Sequence, residues 1–248
     1  MEARLLGSGG WLPTDARETA CVYLRDGADV LLLDAGTGMR RLITDPSLLE
    51  GVERLHVALT HYHLDHTAGL VTLPALAGRL PCSIWAPGNA LYGVSAESLL
   101  ERLLSAPFAL GLDRDPCDTL TLGELDGTSE VGPFRIETRI QPLHTGPTLA
   151  LHVDGWLAYC TDTAYDEANG EFARGARVLL HEAMHPADTT DDLIHSASGE
   201  AARIAAAAEV ERLVLVHVNP TPGFDEGLIE PAVARFAASE VGYDGTEV

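Results

Sequence analysis

The chain has 248 residues, 46% of them hydrophobic and 21% charged, a composition that excludes a disordered or fibrous class and suits one domain spanning residues 1–248. Its 37 acidic and 16 basic residues leave a formal net charge of −21, which argues against a broad phosphate-facing patch and disfavours long nucleic acid as a partner. All the basic residues are arginine, and Cys21, Cys82, Cys117 and Cys160 are too scattered for a zinc ribbon or a disulfide framework.

The N-terminus lacks a signal-peptide pattern and no run approaches the length of a membrane span, so a cytoplasmic protein with no membrane partner is expected. Strands are predicted at Arg4–Leu6, Ala20–Arg25 and Val30–Asp34. Asp34-Ala35-Gly36-Thr37-Gly38 then turns tightly into a short helix over Met39–Thr44. Leu55–Thr60 reads as a strand, Thr67–Gly78 as a helix and Cys82–Ala86 as a strand. Ala96–Leu104 places Leu99, Leu100, Leu103 and Leu104 at helical spacing. Further strands are predicted at Thr119–Leu122, Phe134–Gln141, Thr148–Val153, Leu157–Thr161 and Val178–Glu182. An alanine-rich helix follows over Ser198–Ala208, then a strand over Leu213–Val218 and a last helix from about Leu228 to Ser239. Each half is a set of strands followed by helix–strand units. Two sheets packed face to face, with helices outside and polar residues on loops at one edge, are the expected architecture.

The densest chemical signal is Thr60-His61-Tyr62-His63-Leu64-Asp65-His66, directly after an apolar strand. On an extended turn His61 and His63 can point to one side, with Asp65 and His66 addressing a second point next to it. One ion cannot take all four, so two adjacent divalent metals are implied; imidazole plus carboxylate suits zinc first, with manganese, iron or cobalt after it. His144, Asp162 and His217 each stand where an apolar strand ends. With the cluster they complete two sets: His61, His63 and His144 for one metal, Asp65, His66 and His217 for the other, and Asp162 across both.

These residues, with Leu6-Gly7-Ser8-Gly9-Gly10 and Leu33-Asp34-Ala35-Gly36-Thr37-Gly38, resemble the metallo-β-lactamase superfamily nearly end to end. The resemblance implies an α/β fold, the αββα sandwich of two mixed sheets with outer helices, and a hydrolase using two metal ions. His181-Glu182-Ala183-Met184 and His195-Ser196-Ala197-Ser198-Gly199-Glu200-Ala201-Ala202 are similar to two motifs of the ribonuclease Z branch, with Ala197 where that pattern has threonine. In that branch the residues matching His195 and Glu182 form a catalytic pair outside the ligand set. The branch carries a long tRNA-clamping arm between the positions of His144 and Asp162, where this chain has only Thr145–Thr161, enough for a hairpin.

The resulting expectation is a phosphodiesterase acting on a small or cyclic phosphodiester, a small anionic partner that a metal pair can attract. Asp65 would accept a proton from water and His195, kept protonated by Glu182, would give one to the leaving alkoxide. A tRNA 3′-processing endonuclease is the alternative, as is a hydrolase of lactones, carboxylic esters or sulfate esters in which Tyr165 polarises a carbonyl. Asp34 and His181 are candidates to orient ligands, His56 and His152 read as core histidines, His185 is placed near the site, and a homodimer is compatible.

Overall fold

The computed structural model describes residues 1–107 and 120–248, so Cys117 and Thr119 lie outside the described residues. One six-stranded sheet runs in chain order through β1 (Glu2–Gly7), β2 (Cys21–Asp26), β3 (Asp29–Leu33), β4 (Arg54–Ala58), β5 (Cys82–Pro87) and β6 (Leu120–Leu125). A seven-stranded sheet holds β7 (Thr128–Val131), β8 (Phe134–Gln141), β9 (Thr148–Val153), β10 (Leu157–Cys160), β11 (Val178–Glu182), β12 (Arg212–Val216) and β13 (Ser239–Val241). Both sheets change character part-way. β1 to β3 pair antiparallel and β3 to β6 parallel. β7 to β10 pair antiparallel and β10 to β13 parallel.

A parallel pair needs a crossover, and the segments between the parallel strands supply the outer helices. These are α1 (Arg41–Thr44), α2 (Leu64–Thr67), α3 (Leu73–Ala77), α4 (Asn89–Tyr92) and α5 (Ala96–Leu104) on the first half. The second half has α6 (Ala168–Phe172), α7 (Ser198–Ala208) and α8 (Ile229–Arg235). Period-2 alternation sorts each central strand between two cores. Leu31 and Leu33 of β3 face the other sheet, where they meet Leu151, Tyr159 and Leu180, while Val30 and Leu32 pack under the outer helices with Met39, Leu42 and Leu76. β12 repeats the pattern, with Val214 and Val216 between the sheets and Leu213 and Leu215 under the alanine face of α7. The fold is thus the αββα metallo-β-lactamase sandwich of two mixed sheets.

Several elements differ from expectation for local reasons. The helix read as Thr67–Gly78 starts earlier, at Leu64, and is interrupted by a 3-10 segment over Ala68–Thr72. His63 is extended (φ −61°, ψ 150°) and caps α2, so Asp65 and His66 ride on a helical turn and not on an extended loop. Thr67 (φ −131°) and the close packing of Gly69 against Gly36 break the run. The last helix stops at Arg235 because Phe236 turns extended (φ −142°) and the chain re-enters the sheet as β13 beside β12. β4 ends at Ala58 and not Thr60, and β12 ends before His217, whose φ is positive. The β7 edge strand, α4 and α6 were not expected; each is four or five residues long. No helix among the described residues is long and apolar enough to cross a membrane.

Candidate metal centre

The seven candidate ligands converge at the edge where the parallel strands of both sheets end. The His61–His66 segment leaves β4, His144 follows β8, Asp162 follows β10 and His217 leaves β12 directly. Three strand exits are made in one step: Asp34 (φ 59°), Asp162 (φ 52°) and His217 (φ 52°) are left-handed. That conformation costs a side-chain-bearing residue roughly 1–2 kcal/mol and throws the side chain back over the sheet edge. Trp11 (φ 61°) is a fourth left-handed residue at the same site.

Asp162 sits at the middle. Its Oδ1 lies 3.4 Å from His144 Nε2 and 4.0 Å from His61 Nε2. Its Oδ2 lies 3.0 Å from His66 Nε2 and 3.3 Å from His217 Nε2. One oxygen therefore faces the His61, His63 and His144 set and the other the Asp65, His66 and His217 set. Within the first set, His144 Nε2 is 3.4 Å from His63 Nδ1. In the second, His66 Nε2 and His217 Nε2 are 3.3 Å apart, and Asp65 Oδ2 is 3.2 Å from His217 Nε2.

The partners behind the imidazoles select their tautomers. Asp34 Oδ1 accepts from the Thr60 backbone N–H (2.8 Å) and both its oxygens contact Thr60 Oγ1. Thr60 Oγ1, donating to Asp34, can accept from His61 Nδ1 at 3.0 Å. Asp34 Oδ2 takes His66 Nδ1 at 2.7 Å and the Tyr159 hydroxyl at 3.1 Å. His144 Nδ1 donates to Ile194 O at 3.0 Å. Each arrangement holds Nδ1 and aims Nε2 inward, the nitrogen that a metal-ligating histidine offers once it is deprotonated. His61 Nε2 is buried without a hydrogen-bond partner. Gly10 makes room for the ring of His217, since a Cβ there would stand 2.5 Å from its Nδ1. Gly36 does the same for the helix: a Cβ would lie 2.2 Å from Asp65 O.

The electrostatics agree with this donor set. Burial would raise the Asp162 and Asp65 carboxyls, but the surrounding imidazoles hold both well below the usual carboxylate range. Burial would lower His66 and His217, but Asp162 with Asp34 and Asp65 pushes both up. Burial, with charged His66 beside it, lowers His61. Packed imidazoles and ionised carboxylates at this density call for added positive charge, and the residues fit a pair of divalent cations.

Next to this group, His195 Nδ1 lies 3.2 Å and 3.1 Å from the two carboxylate oxygens of Glu182, which has no exposure to solvent. Glu182 is fixed by the backbone N–H groups of Thr163 and Ser196. Burial alone would lower the His195 pKa, but the Glu182 carboxylate outweighs it and pushes it up to about 9. The departure at Ala197 shows locally: it caps α7 without a side-chain acceptor, and only Glu200 closes back onto its N–H (2.8 Å).

Other candidates fall elsewhere. His181 alternates away from Glu182, and its Nδ1 bonds Glu182 O under the α7 layer, so it orients no candidate ligand. His56 is a core histidine midway along β4, bonded to Ser83 and Asp29, and His152 packs on Phe172. His185 bonds Asp192, whose other oxygen holds the Ile194 N–H of the loop behind His144. Tyr165 packs against the α7 cluster with Arg203 6.0 Å over its ring, away from the ligand set. The Trp11 backbone N–H donates to Asp65 Oδ2 at 2.8 Å, a contact that no side-chain pattern could have revealed. Thr60 and Tyr159, beside Asp34 and on β10, were also missed, because their roles depend on a carboxylate distant in sequence.

A family model described as "Beta-lactamase superfamily domain" matches residues 30–218. A ribonuclease Z of Cyanothece sp. is 30% identical, the match covering 98% of this chain and 94% of that protein. The aligned span of 302 positions is longer than this chain, so that relative has segments absent here. Among solved structures, a metallo-beta-lactamase fold protein of Bacillus subtilis superposes with a TM-score of 0.80 at 22% identity, covering all of this chain and 98% of that one. The short form of human tRNase Z gives 0.67 at 19% identity, covering 100% and 98%. These relatives overturn the expectation that long nucleic acid is disfavoured. Net charge averages the whole surface, whereas a phosphate meets the local field of the cluster edge, which calls for cations.

Proposed function

The chain belongs to the beta-lactamase superfamily and is a metal-dependent hydrolase, and from that premise we propose that it cleaves phosphodiester bonds at the edge of its two sheets. The observation that carries this reading is the buried Glu182–His195 pair standing beside a complete seven-residue ligand set. In this reading His61, His63 and His144 hold one divalent cation, Asp65, His66 and His217 a second, and Asp162 both. Five imidazoles with two carboxylates favour zinc. The cations supply Lewis-acid charge to the phosphoryl oxygens and to the attacking water. Asp65, fixed by the Trp11 N–H and by His217, accepts the proton released by that water. His195 carries its proton on Nε2 while Nδ1 is held by Glu182, and it delivers that proton to the departing alkoxide. An alkoxide is a poor leaving group, so an acid held protonated at neutral pH is the part an alkyl or ribose diesterase needs and an aryl-ester hydrolase does not.

RNA is the first substrate to test, following the name of the relatives. A small or cyclic phosphodiester is the second reading, favoured by the turn of only residues 154–156 between β9 and β10. The experiment is hydrolysis by zinc- or manganese-loaded protein of precursor tRNA, short RNA, a ribose cyclic phosphate and bis-p-nitrophenyl phosphate. Cleavage of the diesters but not of p-nitrophenyl acetate or lactones is expected. Loaded protein that cleaves no diester would end this reading.

A further inference from the structure

A cavity of about 770 Å³ opens at His61 and His63 and runs away from the ligand set between α2, α4 and α5. Its walls are Tyr62, Val71, Tyr92, Leu99, Leu103 and Arg102. This size is in the range of sites that take a nucleoside-sized molecule.

Its wall is organised for a flat apolar group. The hydroxyls of Tyr62 and Tyr92, the only polar atoms on those side chains, are turned away. Tyr62 donates to Pro87 O at 2.8 Å and Tyr92 to Pro147 O at 2.9 Å. The two rings, 5.7 Å apart and inclined at 59°, are thereby fixed as walls. α5 is apolar over a wider arc than the core uses. Leu100 is buried beneath it, while Leu99 and Leu103, four apart on the next strip, line the cavity together with Leu104. Val71, on the opposite lip, is 65% exposed. Among the described residues no acidic side chain lines the cavity, in a protein of net charge −21. Arg102, which lines it, makes no ion pair among the described residues, and it can stack on an aromatic plane or meet a phosphate.

We infer that this cavity seats the aromatic ring of the group that stays esterified to the phosphate on cleavage, a nucleobase when the substrate is a nucleic acid. The inference rests on the phosphodiesterase reading, because the ester must reach His61 and His63 while its ring lies against the wall that the two tyrosines form. Aromatic rings serve as sequence-tolerant platforms for bases in just this way.

The test uses two diesters with the same leaving group, thymidine p-nitrophenyl phosphate and methyl p-nitrophenyl phosphate. Metal-loaded wild-type protein should prefer the nucleoside ester in kcat/KM by roughly tenfold or more, the worth of burying an aromatic group. Leu103→Trp, which fills the cavity, and Val71→Trp, at an exposed position that should not disturb folding, should both bring that ratio close to one. In parallel, calorimetric titration of loaded protein should show phenylphosphonate binding roughly tenfold tighter than methylphosphonate, a difference lost in the same variants. A preference absent from the wild type or unchanged in both variants overturns the subsite while diester hydrolysis stands. If neither diester is cut, the diesterase reading fails, and equal affinity for the two phosphonates then overturns the subsite independently.

Discussion

His195 and Glu182 form a charged pair across two elements: Nδ1 of the imidazole, in the loop before α7, is 3.1 Å from Oε2 of a carboxylate wholly buried at the end of β11. If the pair feeds a proton to the leaving group, His195→Ala should keep both metals and lose roughly 10²–10⁴-fold in turnover on diesters with alkoxide leaving groups. The loss should shrink with p-nitrophenolate, which departs unprotonated. Tyr165→Phe should change little. Single-turnover rates on an alkyl and an aryl diester check this, and a His195 variant that keeps full rate on the alkyl diester would remove the assignment.

The same pair sets a pH dependence in the metal-free protein. With its pKa raised to about 9, from about 6.5 for an unperturbed histidine, His195 adds stability that is fully present below pH ~6.5. That contribution disappears as pH rises through about 9. NMR titration of metal-free protein should therefore find His195 charged at pH 7.5. Glu182→Gln should lower its pKa and should destabilise the protein more at pH 6 than at pH 10. A His195 that titrates near 6.5 in wild-type protein would show that the buried carboxylate does not control it.

Among the described residues, Asp162 alone has its two oxygens facing the two candidate ligand sets. Wild-type protein is expected to hold close to two divalent ions per chain by elemental analysis. Asp162→Ala should lose the metal pair and the activity together. Two ions and full rate in this variant would mean that another group spans the sets.

Asp34 receives Thr60, His66 and Tyr159 in a fully buried position. Asp34→Ala strands these donors and removes one of the carboxylates that face His66, so a loss of about 3–5 kcal/mol is expected in metal-free protein. Tyr159→Phe removes one donor and should cost about 1 kcal/mol. Denaturant titration separates the two. An Asp34→Ala variant as stable as wild type, with unchanged metal affinity, would show that Asp34 does not orient His66.

The legible parts of this molecule were those where one signal acts alone. α5, β8, β9, β11 and α7 fell at their expected bounds because hydrophobic period decides them. The convergence of the candidate ligands was legible because few other pressures gather three histidines and an aspartate into six positions. What escaped was decided by competition or by distance. Asp65 and His66 read as loop residues, yet the extended His63 starts a helix beneath them. The residues of β13 pair with β12 only because Phe236 ends α8, which composition does not signal. Trp11 contributes a backbone N–H, invisible to any reading of side-chain types. His181 is a candidate on its strand to orient a ligand, but strand alternation sends it to the face opposite Glu182. Net charge misled on nucleic acid because a bulk sum carries no address.

The left-handed exits at Asp34, Asp162 and His217 leave almost no free chain between a sheet and a working side chain. The instrument therefore has no adjusting screws. A loop can absorb an insertion, but here a slip of one residue in β10 or β12 would carry its ligand about 3.3 Å along the strand and onto the wrong face. Variation that retunes this enzyme should accumulate around the α4–α5 cavity, and hardly ever as insertions or deletions within the parallel strands.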